Sequence, residues 1–418
     1  MLKGAHMRFL FTTLPGTSHA LPWISLAQAA QAAGHDVLAA VSGPALETAA
    51  DAGLLAVATD DGAARASYHR LADMLAEGGS GMEIGGDRMA RFVSSVFADT
   101  SAAMMDGLLA AATAWRPDLI VYTPPLVAGL VTARLLGVPA VMHGLGTPLP
   151  TPPPALAAFA AEAERRGVPD LTGQRPDVEI DVSPPSLDAF APPRPPGSRG
   201  LVLPMRFTAY TGGSHLPDWL LRRSDRPRVV VTLGSFTQWF RDGGLMREVV
   251  LGTRDLGVDL VVATAGADLP ALPDPLPEHV TLVDWVPMRA LLAVSDAIVH
   301  HGGLGTVYAA FAAGVPQLVL PAAAGPALAN SRTVAARGAG AVLDMDGAVA
   351  TALKPAVEDV LVNPAYREAA QEVAAEMAAM PSPADVAGRL AEFTSAHRRY
   401  QRPLPRERAV RDRSDERK

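Results

Sequence analysis

The run Asp296–Thr306, D-A-I-V-H-H-G-G-L-G-T, reads as a short apolar strand that ends at His300, a glycine turn, and a helix that begins at about Thr306. A strand that feeds through glycines into a helix N-terminus makes an anion site. The first N–H groups of the helix have no intrahelical acceptor, and the helix dipole turns its positive end toward the ligand. Gly303 and Gly305 allow a phosphate to come close to the backbone, with Gly302 in the same turn. Thr306 adds a hydroxyl, and His301 can donate to a phosphate oxygen. The run has neither the G-x-G-x-x-G of dinucleotide enzymes nor the G-K-[ST] of a P-loop. Taken alone, it also fits a glycine-rich turn around a buried histidine pair.

The same rhythm runs through the chain on both sides of this motif. Arg8–Thr13 reads as a strand, Leu14–Ser18 as a turn, and Pro22 as the start of a helix whose Trp23, Leu26, Ala27 and Ala30 follow the helical period up to Gly34. Val37–Val41, Leu119–Tyr122 and Ala140–His143 read as further strands. Thr147–Pro154 and Pro184–Gly200 are proline-rich and read as loops or cleft walls. The alternation restarts at Arg228–Leu233 and continues through Leu260–Ala263, Val280–Val283, Ala297–His300 and Gln317–Leu320. This is the pattern of parallel α/β architecture in two Rossmann-like domains, with a ligand expected in the cleft between them. The expected boundaries are 7–205 for the first domain, 206–226 for the linker, 227–396 for the second domain and 397–418 for a disordered, arginine-dense tail.

Composition narrows the partners. Hydrophobic residues make up 49% of the 418 residues and charged residues 19%, enough apolar matter for sizeable cores. A net charge of −7 speaks against nucleic acid as the main partner. With no cysteine, there is no disulfide and no thiolate metal site. No secretory signal and no run of about 20 apolar residues is visible, so the sequence reads as a soluble, cytoplasmic protein without a membrane span.

The residues around the glycine motif carry a resemblance. V-D-W-V-P-M-R-A-L-L (Val283–Leu292), V-H-H-G-G-L-G-T (Val299–Thr306), A-A-G-V-P-Q-L-V-L-P (Ala312–Pro321) and N-S-R-T-V-A-A-R-G-A-G (Asn330–Gly340) follow one another in order. Earlier come Pro184-Pro185-Ser186-Leu187, Met205-Arg206-Phe207 and Val231-Thr232-Leu233-Gly234-Ser235. Their order and spacing resemble the nucleotide-sugar glycosyltransferases of GT-B fold that decorate natural products in actinobacteria. The resemblance implies a metal-independent inverting transferase with an apolar natural-product acceptor in the first domain. Trp285 and Val286 would form the base-binding corner, Ser235 would be a loop contact to the diphosphate, and His301, Gly303 and Thr306 would cradle it. No cofactor is expected beyond the nucleotide-sugar co-substrate, dTDP- or UDP-linked. A homodimer or a helper protein is an admissible partner.

His19 follows the first strand and matches the position of the family's general base, since glycosyl transfer needs the acceptor hydroxyl deprotonated as it attacks. Relatives often orient this histidine with an aspartate after a first-domain strand. The matching run here is Val121-Tyr122-Thr123-Pro124, with Thr123 or Asp99 as possible substitutes, and without a carboxylate the mechanism would lean on an acidic acceptor such as a phenol. His143 is the reserve base, with a structural role as its alternative. Relatives also carry Asp-Gln after the P-Q-L-V-L-P strand, whereas Ala322–Leu328 offers almost no polar side chain before Asn330. That favours a deoxysugar, unless the loop aligns differently. Gly16, Thr17, Phe92, His143, Gly325 and Asn330 complete the expected substrate contacts. Asp344-Met345-Asp346 is a D-x-D that reads as a solvated turn rather than a metal site. Two rival readings stay open: another enzyme on the same architecture, such as an epimerase or a nicotinamide-dependent oxidoreductase, and a non-catalytic nucleotide-sugar-binding partner of another transferase.

Overall fold

Short apolar runs become the strands of two parallel sheets, covered by helices on both faces, as continuous Val, Ile and Leu runs require. The computed structural model describes residues 6–77, 87–147, 154–190, 200–234, 244–266, 269, 271–321, 326–344 and 349–401. The first sheet holds β1 (Arg8–Thr12), β2 (Asp36–Val41), β3 (Leu55–Ala58), β4 (Leu119–Tyr122), β5 (Ala140–His143), β6 (Val178–Asp181) and β7 (Leu201–Pro204), in the order β3-β2-β1-β4-β5-β6-β7. The second holds β8 (Arg228–Thr232), β9 (Asp259–Ala263), β10 (Val280–Val283), β11 (Ala297–His300), β12 (Gln317–Val319) and β13 (Gly340–Val342), in the order β10-β9-β8-β11-β12-β13. The expectation of two Rossmann-like α/β domains is met.

Strand order reverses between β1 and β4 in one sheet, and between β8 and β11 in the other. Register brings Thr12 level with Tyr122 and His300 level with Thr232, so each pair of central strands ends together. At such a switch point the two connections leave in opposite directions and open a crevice beyond the carboxyl ends. The chain places His19 and Thr123 at the first crevice, Gly234 and His301 at the second.

The first-domain helices are α1 (Thr17–Ala32), α2 (Pro44–Asp51), α3 (Ala63–Glu77), α4 (Asp87–Trp115), α5 (Val127–Leu136) and α6 (Pro154–Arg165). Later come α7 (Gly244–Gly252), α8 (Met288–Ala293), α9 (Leu304–Ala313), α10 (Pro326–Arg337), α11 (Val349–Val362), α12 (Pro364–Ala379) and α13 (Pro383–Gln401). Helix α1 starts earlier than the sequence suggests. Gly16 is its extended N-cap, Thr17 its first residue, and Pro22 lies inside it. His19 therefore sits in the first helical turn rather than in a loop. Pro22 removes only the donor to Ser18, whose side is exposed, so the helix survives it.

The last helix crosses back to the first domain. Val386, Ala387, Leu390 and Ala391 of α13 share one buried cluster with Trp23, Leu26, Ala27 and Ala30 of α1. Arg398 of the same helix pairs with the buried Asp118. Helix α13 runs to Gln401, so residues 397–401 of the stretch expected as a disordered tail are helical, while 402–418 lie outside the described residues. A second seam forms at Tyr308 of α9, whose buried hydroxyl lies 3.0 Å from Ser183 Oγ and 3.2 Å from Thr147 Oγ1 of the first domain. No helix among the described residues is long and apolar enough to cross a membrane.

Candidate active site

The second-domain crevice is shaped around His301. Its imidazole is wedged between two glycines: a Cβ at Gly234 would stand 2.5 Å from His301 Cε1, and one at Gly303 would stand 2.4 Å from Nε2. Gly234 also holds φ +68°, a conformation that side chains resist. Nδ1 of His301 is buried without a hydrogen-bond partner, which leaves Nε2 as the nitrogen able to meet a ligand. Burial holds its pKa down at about 4, partly offset by a backbone contact at Thr232, so the ring is neutral near pH 7. Directly after it, Gly303 caps α9, whose first turn presents the backbone N–H groups of Leu304 and Gly305. Gly305 is exposed, with open space where a side chain would be. Thr306 is half-buried in the same turn.

The adjacent His300 builds this turn from behind. Gly302 N donates to His300 Nδ1 at 3.0 Å, so the proton of this neutral ring is on Nε2, which donates to Gln317 Oε1 at 2.9 Å. Burial first, and the neighbouring His301 second, lower the His300 pKa to about 3 despite the Gln317 bond. Asn330 Nδ2 donates to Gly302 O at 2.9 Å. Asn330, expected against the sugar, is thus buried and holds the glycine turn. Gln317 escaped sequence reading because a glutamine in an apolar strand carries no local sign of its partner.

In the first-domain crevice, His19 Nε2 is 3.0 Å from the hydroxyl of Tyr68 on α3, with the rings edge to face at 5.7 Å. His19 Nδ1 is buried and unpartnered, and burial lowers the pKa to about 4. Neither expected substitute for the aspartate reaches it. Thr123 Oγ1 bonds Thr13 Oγ1 at 2.8 Å, and Thr13 Oγ1 in turn donates to the His19 carbonyl. Asp99 pairs with Arg70. The Tyr68 partnership was not legible, since 49 residues separate the two. Gly16 flanks the pair, its missing Cβ at 3.4 Å from His19 Cδ2 and 3.7 Å from the Tyr68 hydroxyl.

The remaining expected residues are scattered more widely. Thr17 Oγ1 lies 3.1 Å from Thr48 Oγ1 of α2. Phe92 is half-buried on α4. His143 is fully buried, its Nδ1 donating to Gly144 O at 2.7 Å and its Nε2 closed off, so no substrate reaches it as the ring stands. Trp285 is 46% exposed, and its indole N–H donates to Thr211 O at 2.7 Å, tying the linker to this corner. Val286 is half-buried beside it. Ser235 and Gly325 lie outside the described residues. The first domain closes on this site through Gly146, which packs on Leu304 at the start of α9. Among the described residues, no cluster of three His, Asp or Glu is placed to hold a metal.

Comparison with known proteins identifies the family and the fold. The family model described as erythromycin biosynthesis protein CIII-like matches with its N-terminal domain at residues 28–234 and its C-terminal domain at 248–393. Elloramycin glycosyltransferase ElmGT of Streptomyces olivaceus is 34% identical over 398 residues, 92% of this chain and 97% of that one. The crystal structure of the glycosyltransferase SnogD from Streptomyces nogalater superposes with a TM-score of 0.76 at 36% identity, covering 93% of this chain and 100% of that one. Spinosyn rhamnosyltransferase SpnG complexed with thymidine diphosphate gives 0.75 at 28% identity, covering 92% and 100%.

Proposed function

Since the chain belongs to the erythromycin biosynthesis protein CIII-like family of GT-B glycosyltransferases, we propose that it moves a deoxysugar from a dTDP- or UDP-sugar to an apolar natural-product acceptor with inversion at the anomeric carbon. The observation that carries this reading is the fit of His301 between Gly234 and Gly303 at the N-terminus of α9. A diphosphate bound there meets backbone N–H groups, the positive end of a helix and a neutral imidazole N–H, without a metal ion. The thymidine diphosphate complex of SpnG, a structural relative, supports a pyrimidine diphosphate as the donor's nucleotide.

Across the crevice, His19 acts as general base through Nε2, because Nδ1 is sealed. The acceptor oxygen attacks the anomeric carbon while its proton passes to His19. The bond from that carbon to the diphosphate breaks, and the nucleoside diphosphate leaves with the electron pair. Charge that develops on the leaving group falls where the α9 terminus and His301 stabilise it. Asn330 turns its amide N–H to the Gly302 carbonyl, and Ala322–Leu328 carries no polar side chain in sequence, which supports a deoxysugar donor.

Calorimetric titration with dTDP, UDP and NAD, without added metal, tests the reading on the parent and on His301→Ala. Binding of dTDP or UDP that weakens at least about 10-fold in the variant is the expected result. Binding of NAD alone would transfer the chain to an oxidoreductase role. Binding of dTDP without turnover of any dTDP-deoxysugar would favour a non-catalytic partner subunit.

A further inference from the structure

The general base of this site lacks the group that makes a histidine a strong base. His19 makes one side-chain hydrogen bond, to the Tyr68 hydroxyl at 3.0 Å, and its Nδ1 is buried with no partner. Among the described residues, no carboxylate bonds or pairs with it. An imidazolium formed there would keep its Nδ1–H buried and unpaired, with no counter-charge. In keeping with that, burial already lowers the ring's pKa to about 4. Two kinds of hydroxyl could be asked to surrender a proton here. A phenol has a pKa of about 10, and an aliphatic alcohol is a far weaker acid, close to water itself. Transfer from the alcohol is uphill by a further factor of about a million.

Among the described residues, the group at His19 Nε2 is itself a phenol. Tyr68 approaches edge-on, its ring at 85° to the imidazole, and Gly16 leaves the flank beside both groups without a side chain. We infer that Tyr68 is a specificity-determining residue whose phenol stands where the acceptor hydroxyl binds, and that the acceptor is a phenol or enol rather than an aliphatic alcohol. The inference rests on His19 being the base of the proposed transfer. The acceptor's hydroxyl displaces the Tyr68 hydroxyl from Nε2. Its proton then goes to Nε2 as its oxygen bonds the anomeric carbon, and the diphosphate leaves with the electrons of the broken bond. Tyr68 loses one hydrogen bond on displacement, so its hydroxyl competes with the acceptor by about 5-fold.

The test uses two acceptors on one skeleton, 2-hydroxyanthraquinone and 2-(hydroxymethyl)anthraquinone, with dTDP-L-rhamnose and dTDP-2-deoxy-L-fucose as donors. Parent, Tyr68→Phe and His19→Ala chains are compared, with dTDP binding measured on each. The expected result is a kcat at least about 100-fold higher for the phenol in the parent, with similar KM for the two acceptors. Tyr68→Phe lowers the phenol's KM about 5-fold and leaves kcat within about 2-fold, a split that a purely structural tyrosine would not produce. Equal or better transfer to the hydroxymethyl compound overturns the acceptor class, as does a parent that binds dTDP and glycosylates neither compound. A collapse of kcat in Tyr68→Phe overturns the displacement. Full activity of His19→Ala overturns the base assignment and the inference with it, whereas no dTDP binding by the parent overturns the underlying transferase reading.

Discussion

His300 and Gln317 share a 2.9 Å hydrogen bond in the second-domain core, and with Gly302 N donating to Nδ1 this bond fixes the proton of the imidazole on Nε2. The glycine turn of the proposed diphosphate site thus hangs on a histidine that is fully buried behind it. Gln317→Leu leaves Nε2–H buried without its acceptor. The expected cost is about 1–3 kcal/mol, seen as a lower urea midpoint with unchanged slope, together with weaker dTDP binding. An unaltered midpoint would show that the ring finds another acceptor.

Four histidines are held neutral by burial, His19, His143 and His301 with pKa values near 4 and His300 near 3, against an ordinary 6.5. Between those values the unfolded chain binds protons that the folded chain refuses, so stability rises with pH across this window. The contribution is fully present above about pH 6.5 and is lost as the pH falls toward 4. His143 and His300 are fully buried and carry most of it, because His19 and His301 are partly open to solvent. Urea midpoints should therefore fall from pH 7.5 to pH 5. Replacing His143 by Asn should flatten the slope, and a profile that is level in the parent would contradict the buried neutral rings.

Gly234→Ala puts a methyl group 2.5 Å from His301 Cε1 at a φ of +68°. The backbone strain costs about 1–3 kcal/mol, and the imidazole must leave its slot. dTDP affinity is expected to fall about 10-fold or more while the circular dichroism of the folded chain is retained. An alanine variant that binds dTDP as the parent does would show that the wedge has no bearing on the ligand.

Leu390→Ala in α13 opens a cavity against the cluster that contains Trp23 and Leu26 of α1. A buried Leu→Ala change costs about 2–5 kcal/mol. The loss should appear first in the N-terminal domain, as earlier proteolytic cleavage around α1. Cleavage confined to the second domain would place the helix's stabilising contacts elsewhere.

Local pattern was enough to find most of the scaffold. Strand runs such as Leu119–Tyr122 and Ala297–His300 stand where their apolar stretches predicted. The reason is that a fully buried parallel strand must be continuously apolar, and that glycines and prolines punctuate its ends. The start of α1 was misplaced because Pro22 looked like a first-turn residue, while the real signal was the extended Gly16. The glycine-rich motif was legible for the same local reason: strand, turn and helix N-terminus are consecutive in the chain.

What surrounds each histidine was decided only by tertiary structure. Tyr68 at His19, Gln317 at His300, Gly234 at His301 and α13 against α1 are all contacts between segments far apart in sequence. By itself the sequence determined two parallel α/β units, a helix terminus fit for a diphosphate and a histidine after the first strand. Folding decided that this histidine meets a phenol instead of a carboxylate. Periodicity reports which face of an element is buried, but not which distant side chain is buried against it.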